Sequence, residues 1–219
     1  MKQIQTQSKK HALLWAGASY IGFFLLWSLW VVLKHTFSIG DWIEGIFSMS
    51  DVIWLACGIS LIALNRKMLY IKPGEMLKTL PSLRILFPLL AVIALYYGIA
   101  MFTEHGGFYI HSDKSVAWLL VMFLIVAIQE ELLFRGWFFN VLCRAVTERK
   151  ANLISALFFL FIHFPGWIRA GHDVLTIVWT GAGIFVLGLV FGWSFRKSRS
   201  IWTPIILHMI WDTLSRLVF

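Results

Sequence analysis

The chain has 219 residues, of which 59% are hydrophobic and 14% are charged, whereas soluble proteins are about 45–50% apolar and about 25% charged. This composition excludes a soluble domain, and the 16% of aromatic residues excludes a disordered chain, which would be poor in aromatics. The net charge of +8 would suggest a nucleic-acid-binding protein if the chain were soluble. In a membrane protein it indicates basic loops, and we expect no nucleic-acid partner.

Apolar stretches predict about seven transmembrane helices, because a helix needs about 20 mostly apolar residues to cross a bilayer. In chain order the predicted spans cover residues 12–33, 43–64, 85–101, 116–139, 151–164, 174–195 and 201–218. The first is too long for a signal-peptide core and is followed by Lys34 and His35, so we interpret it as a retained span. The fifth is short and is expected to stop at Pro165–Gly166. The predicted fold is an all-α polytopic membrane helix bundle.

The basic residues predict the orientation of these spans. Fourteen of the 19 Lys and Arg residues lie before the first span or in the connections that follow the second, fourth and sixth spans. Because cytoplasmic connections carry the excess of basic residues, we expect the N-terminus inside and the C-terminus outside.

Two further patterns concern packing. The segment 66–80 is basic with interleaved apolar residues, which is typical either of an interfacial helix on the inner leaflet or of a solvated connecting loop. In the sixth span, Gly188 and Gly192 form a small-residue pair beside Gly181 and Gly183. Such glycines allow two membrane helices to approach closely, so we predict a helix-packing role for them.

Ionisable side chains inside a bilayer are costly and usually face a cavity or a partner. Seven of them fall well inside the predicted spans, namely Asp51, Glu130, Glu131, Arg135, His163, His208 and Asp212. All except Asp51 lie on the fourth, fifth and seventh spans. At 1.5 Å per residue, Glu130, His163 and His208 lie about 15, 18 and 12 Å from the inner ends of their spans. Three helices thus place polar residues at one depth, which indicates a single site in the inner half of the membrane.

Spacing within the helices predicts which of these side chains touch. His208 and Asp212 are four residues apart, as are Glu131 and Arg135, so each pair shares a helix face. Glu130 is rotated by about 100° from Glu131. We therefore expect Glu131 and Arg135 to form a structural ion pair, while Glu130 points into the cavity.

The residue types favour activation of a water molecule. The nearest nucleophiles, Ser155 and Cys143, lack a spacing that would place them beside His163 or His208. One carboxylate with two histidines suits general-base catalysis. Alternatively, Glu130, His163 and His208 form a plausible set of zinc ligands, although the His-Glu-x-x-His signature of zinc proteases is absent from the sequence.

Three motifs resemble those of the CPBP family of intramembrane proteases, named for CAAX proteases and bacteriocin-processing enzymes and also called the Abi family. They are Glu130-Glu131-Leu-Leu-Phe-Arg135, Phe159-Leu-Phe-Ile-His163 and His208-Met-Ile-Trp-Asp212. The resemblance extends to the type II CAAX prenyl endopeptidases and covers about residues 115–213. It implies a variable N-terminal part, 1–114, with three spans and a catalytic core, 115–219, with four spans.

The resemblance also implies roles for these residues. Glu130 would be the base that activates water, assisted by His163, while His208 and Asp212 would stabilise the oxyanion. The residues expected to organise the site are Glu131, Arg135 and Phe159. No cofactor is required in this interpretation, although Zn²⁺ is the alternative. An ionised Asp212 would oppose an oxyanion, so this residue must orient His208, stay protonated or favour a cation.

The predicted function is an intramembrane endopeptidase that hydrolyses a peptide or membrane-protein substrate. We expect a multi-pass protein of the cell membrane, and the style of the motifs suggests a bacterial source. One alternative is a zinc-dependent metalloprotease that uses the same residues. Another is a bacteriocin-immunity or partner-binding membrane protein without proteolytic activity. A third is a transporter with Glu130 and the histidines as a proton relay, which the absence of a half-to-half sequence repeat disfavours. The sequence identifies neither the substrate nor the oligomeric state.

Overall fold

The computed structural model describes residues 2–37, 49–110 and 114–219, and within these ranges every regular element is a helix. The prediction of an all-α fold is confirmed. In chain order the helices are α1 (Lys2–Thr36), α2 (Met49–Leu64), α3 (Pro73–Lys78), α4 (Leu83–His105), α5 (Val116–Glu131), a π-helix (Leu132–Phe139), α6 (Asn140–Leu142), α7 (Glu148–Phe161), α8 (Phe164–Arg169), α9 (Val174–Ser198) and α10 (Trp202–Val218).

Five helical segments of the described chain are long and apolar enough to cross a membrane, and they correspond to the predicted first, third, fourth, fifth and sixth spans. They are Ser8–Thr36, Leu83–His105, Val116–Leu142, Glu148–Arg169 and Val174–Ser198. The predicted second and seventh spans correspond to shorter helices, α2 with 16 residues and α10 with 17. Residues 43–48 of the predicted second span lie outside the described residues. The count of seven and the orientation stay predictions.

The fifth predicted span differs from the structure at its end. Instead of stopping at Pro165–Gly166, the helix α7 ends at Phe161, and α8 begins three residues later at Phe164, with Pro165 in its first turn. Proline lacks an N–H group, which costs nothing in the first turn of a helix because the N–H groups there have no intrahelical acceptor. Pro165 therefore begins a helix, and His163 lies at the junction between α7 and α8.

Helices α7 and α9 pack closely along the predicted glycines. A Cβ atom added at Gly188 would lie 3.1 Å from Ala156 Cβ, and one at Gly192 would collide with the side chain of Asn152. A Cβ at Gly181 would lie 3.2 Å from the side chain of Leu160, whereas Gly183 faces open space. The packing prediction is thus confirmed for three of the four glycines, and it is wrong for Gly183.

The segment 66–80 contains the short helix α3, and it packs three apolar residues against the core of the bundle while most of its other residues are exposed. Its position at a membrane interface stays a prediction. Leu69, Ile71 and Met76 are fully buried. The Ile71 N–H donates to Asn140 Oδ1 over 2.7 Å, and the Met76 carbonyl accepts from the Ile201 N–H over 3.0 Å. These contacts join the segment 66–80 to the start of α6 and to the start of α10.

The π-helix lies at the centre of the molecule, where α2 and α7 pack directly against it, while α10 packs against the preceding α5. Its residues from Leu133 to Phe139 are all buried. Helix α1 is fixed to this centre by a Trp137 Nε1 hydrogen bond to Ser19 Oγ, and by Tyr20, which stacks on Phe158 with 3.9 Å between ring centroids. The candidate site lies at the start of this π-helix.

Candidate active site

Glu130 and Glu131 are the last two residues of α5, immediately before the π-helix. In a π-helix the N–H of each residue bonds to the carbonyl five residues earlier, and such segments are rare and often occur at functional sites. This element was not predicted from the sequence, because the apolar residues of the fourth span fit an α-helix as well as a π-helix. The change in winding begins directly after the two carboxylates.

The predicted ion pair between Glu131 and Arg135 is present and lies entirely inside the protein. Arg135 Nη1 donates to Glu131 Oε1 over 2.8 Å, and neither side chain is exposed. Arg135 Nη2 donates to the Gly188 carbonyl over 2.9 Å. The guanidinium carbon lies 4.7 Å from the centroid of the Phe159 ring and 5.5 Å from that of Phe191. Arg135 thus connects α5 to α7 and α9.

His208 on α10 lies between three carboxylates. Its Nδ1 is 3.0 Å from Glu131 Oε1, and its Nε2 is 3.3 Å from Asp212 Oδ2 and 3.9 Å from Glu130 Oε2. The imidazole also stacks on Phe191, with 4.8 Å between the ring centroids. Both ring nitrogens therefore face carboxylate oxygens, and both can donate hydrogen bonds only in the protonated imidazolium.

The three carboxylates differ in their access to the outside. The side chain of Glu131 is 0% exposed, whereas 13% of the Glu130 side chain and 24% of the Asp212 side chain are exposed. Glu131 Oε1 also accepts two hydrogen bonds, one from Arg135 and one from His208. A water molecule or a substrate can therefore reach Glu130 and Asp212, while Glu131 is sealed.

His163 approaches the site from the junction between α7 and α8. Its Nδ1 lies 2.7 Å from the Phe159 carbonyl, to which it can only donate, so Nε2 of the neutral ring is left as an acceptor. The Phe159 ring contacts both histidines, with centroids 5.1 Å from the His163 ring and 5.9 Å from the His208 ring. Among the described residues, His163 forms no hydrogen bond to Glu130, His208 or Asp212.

The predicted zinc ligands are not brought together as a metal-binding group. Within residues 2–37, 49–110 and 114–219, no three His, Cys, Asp or Glu side chains are arranged to hold a metal ion. The donor set does not fit a zinc site in this arrangement, and we derive no step through a metal.

Two cavities flank the site. One, of about 510 Å³, is an apolar groove between α4 and α9 whose walls include Tyr96, Trp179, Phe191 and Trp211. It reaches the site because Phe191 stacks on His208. The other, of about 310 Å³, is lined by the polar groups of Asp212, Ser215 and Arg216 together with two phenylalanines. The apolar groove thus adjoins the ring that stacks on His208, and the polar cavity includes Asp212 itself.

Comparison with known proteins finds two similarities. Residues 112–214 match a family model described as type II CAAX prenyl endopeptidase Rce1-like. The chain is also 27% identical over 149 residues to CAAX prenyl protease 2 of Methanococcus maripaludis, an alignment that covers 61% of this chain and 54% of that protein. The chain thus spans about half the length of this curated relative. No solved structure matches it. The matched segment contains every residue predicted for the site, namely Glu130, Glu131, Arg135, Phe159, His163, His208 and Asp212.

Proposed function

Residues 112–214 belong to the family of Rce1-like type II CAAX prenyl endopeptidases, and from this premise we propose that the chain is an intramembrane endopeptidase. It hydrolyses a peptide bond in a membrane-associated peptide or protein. The observation that carries this proposal is the meeting of Glu130 with His208 and Asp212 at the end of α5, inside an otherwise apolar bundle. An ionisable cluster of this kind is too costly in a bilayer to be kept without a use.

In the proposed mechanism Glu130 is the general base. Its carboxylate takes a proton from a water molecule while the water oxygen forms a bond to the carbonyl carbon of the substrate. The tetrahedral intermediate then breaks its C–N bond, and Glu130 returns the proton to the leaving amine. His163 Nε2, the free acceptor of that ring, accepts the second proton of the water in a hydrogen bond and orients it for attack.

His208 supplies the positive charge that stabilises the oxyanion. Glu131 and Asp212 hold its two nitrogens, so the ring is fixed as an imidazolium beside Glu130. A fixed charge in a site of low dielectric stabilises developing negative charge without reorganisation of the site. Of the three roles open to Asp212, the contact of 3.3 Å supports the first, in which it accepts from His208 and orients it.

The apolar groove between α4 and α9 supports a substrate that enters from the membrane. The groove contacts His208 through Phe191, so a chain bound there would place its adjacent peptide bond near the carboxylates. The occupant is an apolar segment of the substrate or a lipid attached to it. Paired peptides with and without a prenyl group distinguish these two occupants. The peptide without the prenyl group binds only if its apolar side chains are sufficient to occupy the groove.

The experiment that tests the proposal is an assay of the purified full chain in lipid vesicles, with cleavage of candidate apolar peptides followed by mass spectrometry. Wild-type protein should release two defined fragments, and Glu130→Ala and His163→Ala should release them at least about 100-fold more slowly. Glu104→Ala, which removes an exposed carboxylate from α4, is the matched control and should cleave normally. Full activity in both site variants would contradict the proposal.

The same assay separates the glutamate mechanism from the zinc alternative. We propose that cleavage continues at an unchanged rate in the presence of a chelator. Loss of activity with the chelator, restored by added Zn²⁺, would instead assign the reaction to a metalloprotease.

A further inference from the structure

A second polar cavity lies at the other side of the π-helix, away from the carboxylates. It has a volume of about 470 Å³ and lies between the start of α1 and the turn that joins α6 to α7. Three basic side chains line it, those of Lys9, Arg144 and Lys150, together with Cys143 and residues 145–147. Among the described residues that form its wall there is no acidic side chain.

The three basic residues lie where candidate membrane spans begin or end. Lys9 is the second residue of the segment Ser8–Thr36, Arg144 follows the end of Val116–Leu142 by two residues, and Lys150 is the third residue of Glu148–Arg169. Three apolar segments thus reach the same level at this cavity. A bilayer that covers these segments places its polar headgroups at the cavity mouth.

These three charges are not neutralised by the protein. At the same end of the bundle, Glu148 binds Arg199 over 3.1 Å and Arg196 over 3.9 Å. By contrast, the side chains of Lys9, Arg144 and Lys150 form no ion pair or hydrogen bond with any residue that the structure describes. Like charges around one cavity repel each other.

The position of Lys150 adds a second unfavourable interaction. It lies in the first turn of α7, where the positive end of the helix dipole disfavours a cation. The side chain that caps this helix is Thr147, whose hydroxyl accepts from the Lys150 N–H and keeps its own proton free to donate. An anion in the cavity would relieve the repulsion and would gain both the hydroxyl and the unbonded N–H groups of the first helical turn.

We propose that this cavity binds the phosphate group of an anionic phospholipid. The guanidinium of Arg144 matches two phosphate oxygens, and the two lysines act as point charges beside them. A soluble phosphate ester offers the same chemistry, but the cavity lies at the level at which the spans end, which favours a headgroup. The site uses none of the catalytic residues, so it goes beyond the proposed protease activity.

Native mass spectrometry of the full chain in detergent tests this site, with phosphatidylglycerol and phosphatidylcholine as the probes. Wild-type protein should retain phosphatidylglycerol in preference to phosphatidylcholine. The triple variant Lys9→Gln/Arg144→Gln/Lys150→Gln should lose about 100-fold in affinity, since each basic side chain near anionic lipid contributes about fivefold. All three residues are exposed, and thermal unfolding without lipid checks that the variant still folds.

A matched pair of single variants distinguishes lipid binding in this cavity from a general attraction of anionic lipid to the basic residues of the surface. Lys150 and Arg149 are adjacent and exposed in the same helical turn, but only Lys150 is among the residues that line the cavity. Lys150→Gln should therefore reduce lipid retention by about fivefold, whereas Arg149→Gln should leave it nearly unchanged. Equal losses in the two variants, or equal retention by the triple variant and the wild type, would overturn the proposed site.

Glycerol phosphate in the same measurement identifies the source of the phosphate. If the lipid is the ligand, glycerol phosphate at the lipid concentration will not displace it. Displacement at equal concentration would overturn the assignment to a membrane lipid.

Discussion

Glu130 and Glu131 are neighbours in sequence, and both reach His208, yet the structure gives them different surroundings. Glu131 is sealed and holds Arg135 and His208 through one oxygen, whereas Glu130 is partly exposed and contacts His208 only at 3.9 Å. Substrate water cannot reach a carboxylate that is completely buried, whereas it can reach one that is partly exposed. The proposed division into a base and a structural ion pair follows from this difference.

Replacement of Glu131 should therefore affect stability more than replacement of Glu130. Glu131→Gln leaves the buried guanidinium of Arg135 without its counter-charge, which should lower the free energy of unfolding by about 3–5 kcal/mol. Glu130→Gln should change it far less, because the contact of Glu130 to His208 is longer. Thermal unfolding in detergent measures both variants. Equal destabilisation by the two substitutions would contradict the assigned roles.

Asp212 allows a direct test of the orientation role. If it only accepts a hydrogen bond from His208, Asp212→Asn should retain activity to within about tenfold, because the amide oxygen can accept as well. Asp212→Ala removes the acceptor and should reduce kcat/KM by about 10- to 100-fold, the value of one hydrogen bond to a charged group. Initial-rate kinetics on one peptide distinguish the two variants. An Asn variant as inactive as the Ala variant would show that the charge itself is needed.

The residue pairs that could be predicted are those within one helix. The spacing of four residues correctly predicted the contacts of Glu131 with Arg135 and of His208 with Asp212. The contact of Glu131 with His208 could not be predicted in this way, because it joins α5 to α10 and depends on how the two helices pack. The bond from Arg135 to the Gly188 carbonyl was missed for the same reason.

At the scale of the element, the close packing of α7 and α9 positions Phe159 and Phe191 around Arg135. Gly188 allows this approach, so Gly188→Val should force the helices apart and lower the free energy of unfolding by about 1–3 kcal/mol. Gly183→Val, on the same helix but facing open space, is the matched control and should be neutral or stabilising, since Val forms helices better than Gly. Chemical denaturation compares them. Similar losses in both would indicate that the packing is loose.

The start of α9 gives a prediction with a pH dependence. Hydrogen bonds from the Thr176 N–H and hydroxyl hold the pKa of Asp173 below its usual range. A lowered pKa means that this cap stabilises the helix above the ordinary Asp pKa of about 3.9, and that the effect is lost as the pH falls through the lower value.

Asp173→Ala should accordingly lower the Tm at about pH 6, and the difference from wild type should shrink below about pH 4. Ser115→Ala, which removes the neutral cap of α5, provides the control, because its effect on the Tm should not vary with pH. A difference for Asp173→Ala that stays constant down to pH 3 would contradict this assignment.

The starts of α5 and α9 agree with the predicted spans, which begin at residues 116 and 174, and the structure shows Ser115 and Asp173 as their polar caps. Helix ends were missed where the backbone changes its winding. The π-helix and the break before Pro165 were not predicted, since apolar residues continue across both. These two irregularities lie beside Glu131 and at His163, so the sequence patterns that predict helix ends elsewhere do not predict them at the proposed site.

At the scale of the whole molecule, the few charges of this apolar chain separate into two groups. Most basic residues lie outside the predicted spans, and three of them surround an unneutralised cavity where candidate spans begin or end. The carboxylates of Glu130, Glu131 and Asp212 meet around His208, as the common depth predicted for Glu130 and His208. His163, predicted at the same depth, forms no hydrogen bond to this cluster among the described residues. Composition predicted a membrane protein and the apolar stretches predicted its helices, but the number of spans depends on α2 and α10, which are short.

We propose that Glu130 activates water in this bundle, and steady-state kinetics of Glu130→Gln with one cleavable peptide in vesicles are the decisive test. The glutamine keeps the size of the side chain but cannot accept the proton. We predict that kcat falls by about 100- to 10,000-fold, while KM and the Tm stay close to the wild-type values. A kcat equal to that of the wild type would contradict the account.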